Sequence, residues 1–201
     1  MLEGFYQEDT VLETERLILR PLREEDAAAI FRNINSDREV LRFYLDRYLE
    51  REEDLDLKPM IEWCRKAQRY CFAVILKETD EVIGMINQCS GPDKYFRNTE
   101  VGYAIGRKYW DQGYVSEALP VFIDLLFARG IHKVTASAMK ENAASIRVMQ
   151  KSGMTYECTR KEEVFYHDRY WDLEVWSLIR DVSRETSDGR KRDLRLPQTA
   201  K

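Results

Sequence analysis

Apolar and polar positions along the chain fall into alternating and helical periods that predict most of its elements. In ETERLILRPL (13–22), Leu17 and Leu19 alternate with polar neighbours up to Pro21, the pattern of a first strand with one polar face. In EEDAAAIFRNI, residues Ala27, Ile30, Phe31 and Ile34 stand at offsets 0, 3, 4 and 7 and predict a helix whose apolar stripe faces a sheet. From Ser36 to Lys58 charge is dense and periodicity poor, apart from the amphipathic REVLRFYL, so a helix with a loop is expected. A second helix near 59–69 carries Ile61, Cys64 and Ala67 inward. YCFAVIL (70–76) and VIGMINQC (82–89), separated by the polar KETDE, predict an antiparallel hairpin, and TEVGYAIG (99–106) a further strand beyond the loop SGPDKYFRN.

Period 2 then gives way to period 3.6. Leu119, Phe122, Ile123, Leu126 and Phe127 form a helical stripe that Gly130 is placed to close in the left-handed conformation. Pro120 within that run predicts a kink or a late helix start, because proline removes one backbone bond and clashes with the preceding turn. HKVTASAM (132–139) reads as a strand and NAASIRVMQKSGM (142–154) as a short helix that opens on Asn142 and closes on glycine. TYECTRKEEVFYH and RYWDLEVWSLI are two long strands joined by a tight turn at His167 and Asp168. The order predicts an α+β (α/β) fold: a mixed, mostly antiparallel seven-stranded sheet with helices on both faces. Strands 99–106 and 132–139, bridged by one helix, form its single parallel pair with a right-handed crossover.

Composition changes this picture little. The 201 residues are 44% hydrophobic and 34% charged, enough for one packed domain, expected over 1–180, with a charged C-terminal tail at 181–201. The basic run GRKRDLR in that tail reads as a frayed terminus before it reads as a contact site. A formal charge of -4 argues against non-specific nucleic-acid or anionic-membrane binding, and no apolar run reaches membrane-spanning length. The acidic start MLEGFYQEDT is unlike a signal peptide, so a cytoplasmic protein is expected. Cys64, Cys71, Cys89 and Cys158 are scattered and read as buried thiols; with His132 and His167 at strand ends, no metal site is expected.

Strand, short loop and long helix aim free N–H groups and a positive helix end at an anion, which singles out KYWDQGYV (108–115). The loop carries neither the nucleoside triphosphate nor the dinucleotide fingerprint. A second helix starting at Asn142 begins on the same edge of the sheet, so two helix N-termini face one cleft. Asn142 is accounted for as an N-cap; Ser145, at the third helical position, has no capping duty, which leaves its hydroxyl for the cleft.

YWDQGYVSEAL followed by HKVTASAMKENAASIRVMQKSGM, with the opening TERLILRPLREEDA, resembles the GCN5-related N-acetyltransferases, and among them the subfamily of the ribosomal-protein N-terminal alanine acetyltransferases. The likeness spans roughly 13–180 and implies that fold, acetyl-CoA as co-substrate without a metal, and a primary-amine acceptor, peptide or small molecule. No membrane or specific nucleic-acid partner is expected, and the chain is expected to be a monomer or homodimer. Residues 110–115 occupy the family's pyrophosphate loop: Trp110 at its first position, then Asp111, Gln112, Gly113 at the first required glycine, Tyr114 and Val115. Asp111 and Val115 depart from the usual small residues, one by charge and one by bulk, with Arg107 and Lys108 near enough in sequence to offset the charge.

The resemblance further implies that Asn142 bonds the pantetheine arm, that Tyr103 and Ile105 border it where strand 99–106 splays, and that Ser145 lies near the cofactor sulfur. Attack of an amine on the thioester leaves a thiolate, and a hydroxyl at Ser145 suits its protonation or stabilisation. Glu100 is the candidate base, with Glu162 and Glu163 as rivals. Arg147 and Lys151 read as solvated charges before they read as phosphate contacts, and Trp63, Tyr44, Tyr48 and the acids of 50–56 are candidates for the acceptor mouth. A non-catalytic acyl-CoA-binding module with the same fold is the other reading, kept open by Asp111 and Val115.

Overall fold

The structure is a computed structural model that describes residues 8–90 and 95–180. The expected tail at 181–201 lies outside the described residues. In chain order the elements are β1 (Leu12–Glu13), β2 (Leu17–Pro21), α1 (Ala27–Ile30), α2 (Lys58–Lys66), β3 (Cys71–Leu76), β4 (Glu81–Gln88) and β5 (Asn98–Ile105). There follow α3 (Tyr114–Ala128), β6 (Lys133–Met139), α4 (Ala143–Lys151), β7 (Thr155–Tyr166) and β8 (Arg169–Ile179).

Among the described residues the sheet has eight strands rather than seven, in the order β1-β2-β3-β4-β5-β6-β8-β7. The extra strand is the two-residue β1, paired Leu12↔Leu19, too short to leave a period in the sequence. Every neighbouring pair is antiparallel except β5 and β6. Those two run parallel for three pairs only, Asn98↔Lys133, Thr99↔Val134 and Glu100↔Thr135, and then diverge.

Two apolar layers cover the sheet. Leu19, Phe72, Val74, Ile86, Val134 and Ala136 face α3 and α4, where Leu119, Phe122, Ile123 and Leu126 are at most 1% exposed. Ala73, Ile75, Val82, Met85 and Ala104 face α1, α2 and the segment around Val40 and Leu41. Alternate residues of β3 therefore serve opposite cores, which is why its sequence reads as an unbroken apolar run and not as an alternation. Helix α3 begins at Tyr114, six residues ahead of Pro120, and continues through it, so of the kink or late start expected at that proline the late start does not occur. Gly130 closes it at φ 92°.

Other local expectations divide. The first helix is short and passes directly into a π-helical turn, Phe31–Asn35, yet Ile30 and Ile34 are buried as their spacing required. REVLRFYL is not helical; residues 38–43 form turns. Its apolar groups are still used, Val40 and Leu41 being buried, but the backbone is held from a distance: the Tyr166 hydroxyl lies 2.8 Å from the Leu41 carbonyl, 3.2 Å from that of Tyr44 and 3.1 Å from that of Asp46. His167 and Asp168, at φ 51° and 57°, make the two-residue turn joining β7 and β8. Cys64 and Cys71 are buried, but Cys89 and Cys158 are exposed, contrary to the expectation of four buried thiols. Strand β7 is the outer strand at one end of the sheet and is interrupted by irregularities at Tyr156/Cys158 and Arg160/Val164.

Candidate functional site

Where β5 and β6 part, a cleft of about 570 Å³ opens, lined from both cores. Its register explains what β5 offers. Glu100 and Gly106 direct their backbone groups to β4, through Cys89 N to Glu100 O at 2.7 Å and Gly106 N to Ile83 O at 2.9 Å. By alternation, Val101, Tyr103 and Ile105 turn their amides and carbonyls toward the widening gap. The Ile105 carbonyl is taken by the Trp110 indole, whose Nε1 donates at 2.9 Å. Trp110 thereby fastens the loop to the strand it follows.

On one wall the loop turns through two left-handed residues, Asp111 at φ 58° and Gly113 at φ 79°, and the latter is the N-cap of α3. Aspartate tolerates that conformation where β-branched residues do not, so Asp111 stands there at modest backbone cost. Val115 is the second residue of α3 and takes helical backbone, so its bulk enters the cleft wall and puts no strain on the turn. Asp111, Gly113, Tyr114 and Val115 all line the cleft. Gln112 does not: its carbonyl accepts from Arg16 Nη1 at 3.0 Å and its amide donates to the Lys108 carbonyl at 2.9 Å. Arg107 and Lys108 do not compensate Asp111 either, being paired with Asp37 at 2.9 Å and Glu81 at 2.8 Å.

The facing wall is the start of α4. The Asn142 side chain accepts from the Ser145 amide at 3.1 Å, the expected cap, and Asn142, Ala143, Ala144 and Ser145 all border the cleft. The Ser145 hydroxyl is not solitary: it lies 2.8 Å from the Tyr103 hydroxyl, which projects across from β5. Burial pushes the Tyr103 phenol up to about 12, against a downward pull from its bond with Ser145. The phenol therefore stays protonated, and one hydroxyl of the pair can donate to the other while the second points a proton into the cleft. Farther along α4, Arg147 and Lys151 stand on the same wall. They supply the cationic charge that Arg107 and Lys108 do not.

The opposite end of the cleft is made by Glu39, Val40, Arg42, Phe43 and Tyr44. Of the residues considered for an acceptor mouth, only Tyr44 is there, its hydroxyl pushed upward in pKa by burial. Trp63 is exposed under the guanidinium of Arg69, Tyr48 stacks with Arg38, and Glu53 and Asp54 pair with Arg51 in solvent. Glu100 also stands apart. It is the last residue of β5 paired with β6, on the face opposite Val101 and Tyr103, and its carboxylate accepts from the Ser137 hydroxyl at 2.6 Å. Glu162 and Glu163 are exposed on β7, the latter paired with Arg160. The structure thus brings Ser145, Asn142, Tyr103, Ile105, Trp110, Asp111, Gly113, Tyr114 and Val115 to one cleft, and leaves Glu100 and Gln112 off its wall.

Behind the loop, Glu117 in the first turn of α3 accepts three bonds: Thr14 Oγ1 at 2.5 Å, the Arg16 amide at 2.8 Å and Arg16 Nε at 2.7 Å. Burial drives its pKa upward, but these donors outweigh it and the net shift is downward. A carboxylate depressed in the folded state contributes stability that is complete above the unfolded value of about 4.3 and is lost as pH falls through the folded value. Glu117→Gln is therefore expected to lower Tm at pH 7 and to flatten the acid limb of Tm against pH. A differential scanning series from pH 7 to 3 on both proteins checks this, and parallel limbs would contradict it.

The cleft suits an elongated anionic ligand with an extended arm: two helix N-termini, the amides of loop 111–115, Arg147 and Lys151 at one end, and strand backbone along its length. Residues 16–155 match the family model described as acetyltransferase (GNAT) domain. The chain is 31% identical over 177 residues to the uncharacterized N-acetyltransferase p20 of Bacillus licheniformis, covering 84% of this chain and 96% of that protein. Among solved structures it is similar to a GNAT-family acetyltransferase from Bacillus anthracis, at 26% identity and TM-score 0.73, over 85% of this chain and 98% of that one. It also shares its fold with a ribosomal-protein-S5-alanine acetyltransferase from Vibrio fischeri, at 22% identity and TM-score 0.77, over 87% and 98%.

Proposed function

This chain belongs to the GNAT acetyltransferase family and is an acetyl-transferring enzyme; from that premise we propose that it moves the acetyl group of acetyl-CoA directly to the α-amine of a peptide or protein. The observation that carries this reading is the Ser145–Tyr103 hydroxyl pair, 2.8 Å apart, at the point where the α4 N-terminus meets the unzipped edge of β5. Bound in the cleft, the thioester supplies an activated acetyl group whose transfer leaves a thiolate.

The loop amides of 111–115, with Arg147 and Lys151, hold the diphosphate end; Asn142 and the cleft-facing backbone of Tyr103 hold the arm. Tyr103 donates to Ser145 Oγ, which orients the serine proton toward the departing sulfur. As the N–C bond forms and the C–S bond breaks, the nitrogen gives up one proton to solvent. The sulfur, a thiol of pKa near 8.5 once protonated, takes one up from solvent while the serine hydroxyl bonds the developing thiolate. No carboxylate is assigned as base, since Glu100 is bonded to Ser137 on the other face.

The acceptor class follows from that absence and from the mouth. An α-amine with pKa near 7.7–8.0 is substantially neutral near pH 7.5, whereas a lysine-like amine near 10.4 needs a dedicated base. Among the described residues the cleft lining balances Glu39, Asp111 and Glu141 with Arg42, Arg147 and Lys151, a mixed field that does not favour a polycation over a peptide. A panel of peptides with free N-termini and of small amines, read by released thiol, tests the reading. Peptides are expected to lead, with kcat/KM rising through pH 7.7–8.0 as the α-amine deprotonates. A polyamine outrunning every peptide, or a rise still climbing past pH 9.5, would overturn it.

A further inference from the structure

The carboxylate of Glu117 poses a problem for the proposed anion site. It is 19% exposed, ionised, and one turn from the N-terminal amides of α3, where a diphosphate would meet it with repulsion. Arg16, 101 residues earlier in the chain, answers it. Its Nε and main-chain N–H both bind Glu117, its Nη1 donates to the Gln112 carbonyl at 3.0 Å, and its guanidinium carbon lies 4.5 Å from the centre of the Tyr114 ring. One planar fork thus grips the loop at Gln112, the first residue of α3 at Tyr114 and the first helical turn at Glu117. Gly113 stands between these points, and a Cβ built on it would be 3.7 Å from Arg16 Nη2.

We propose that Arg16 is a positioning residue for the diphosphate of acetyl-CoA: it neutralises Glu117 and locks the left-handed turn at 111–113 so that the α3 amides converge on one anion. This rests on the reading of the cleft as an acetyl-CoA site. Lysine cannot replace the device, because an ammonium is a point charge without the fork that reaches a carboxylate and a carbonyl together. The effect falls on the diphosphate end and not on the thioester end, because Arg16 bonds Glu117 and Gln112 whereas the Tyr103 hydroxyl bonds Ser145.

The test compares kcat/KM for acetyl-CoA with kcat/KM for S-acetylpantetheine, which carries the thioester and arm but no diphosphate. Wild type is expected to prefer acetyl-CoA strongly. Arg16→Ala is expected to cut that preference by at least about tenfold, and Arg16→Lys by a smaller factor, with calorimetry showing the matching loss of CoA affinity. Equal losses on both thioesters would make Arg16 a general prop of the fold and overturn the proposal, as would an unchanged CoA affinity. If Arg16→Ala does not fold, Arg16→Lys, which keeps the charge beside Glu117, carries the same comparison. A wild type without preference for acetyl-CoA would instead strike the diphosphate reading itself, a failure distinguishable from that of the clamp.

Discussion

Ser145→Ala is expected to lower kcat by about 100-fold while leaving the Kd of CoA within about twofold, the low end of what a positioned proton donor supplies. The substitution should not disturb the fold: alanine is the better helix former, and the Asn142 cap bonds the backbone amide of residue 145, which remains. Tyr103 limits the loss, because its hydroxyl already stands 2.8 Å from Ser145 Oγ and can reach toward the same sulfur with its one proton. Adding Tyr103→Phe should therefore cost more on the Ser145→Ala background than on the wild type. Steady-state kinetics at saturating acetyl-CoA, with calorimetric CoA titration, separates rate from binding. A kcat within threefold of wild type, or a fall in CoA affinity equal to the fall in rate, would remove Ser145 from the chemistry.

Gly84→Ala is expected to destabilise the protein by about 3 kcal/mol or more, the upper range for overpacking, because nothing nearby is free to move. A Cβ at Gly84 would lie 2.2 Å from the Ala104 carbonyl oxygen and 2.8 Å from the Ile105 Cα, both backbone atoms of the neighbouring strand. Relief requires β4 and β5 to separate at the Gly84↔Ile105 pair, the strand end that carries Ile105 and anchors the Trp110 indole. Urea unfolding measures the loss, and CoA affinity should fall with it. Gly102→Ala is the control: its Cβ would meet the Cys89 sulfur at 3.0 Å and the Asn87 side-chain oxygen at 3.3 Å, side-chain atoms that can swing aside. A midpoint for Gly84→Ala equal to that of Gly102→Ala would mean that the β4–β5 pairing is far softer than its geometry implies.

Much of the fold was legible because the signals that write it are local. The α3 stripe, the Gly130 stop, the two-residue turn at His167 and Asp168, and the Asn142 cap each act within one turn of chain. Part of the site was legible for the same reason, since a cap and a free hydroxyl three residues on are read from one helix. What escaped depends on partners far away in sequence. REVLRFYL has an amphipathic period but is held as turns by Tyr166, more than 120 residues on. Strand parity alone puts Tyr103 beside Val101, but only the crossing of α4 shows that its hydroxyl meets Ser145. Arg107 and Lys108 were close to Asp111 in sequence, yet Asp37 and Glu81 claim them, while Arg147 and Lys151 reach the cleft from another element. Glu100 was placed by resemblance, and its orientation turns on which side of the strand it occupies.

The ends of the sheet carry a consequence for solubility. β7 is twelve residues long and outermost, a length that ordinarily invites another chain to add itself by hydrogen bonding. Two breaks in its register and the charges of Glu157, Arg160, Lys161, Glu162 and Glu163 spoil it as a template. At the other end β1 offers only two residues. Among the described residues, neither border gives amyloid-like stacking a straight, uncharged stretch from which to grow.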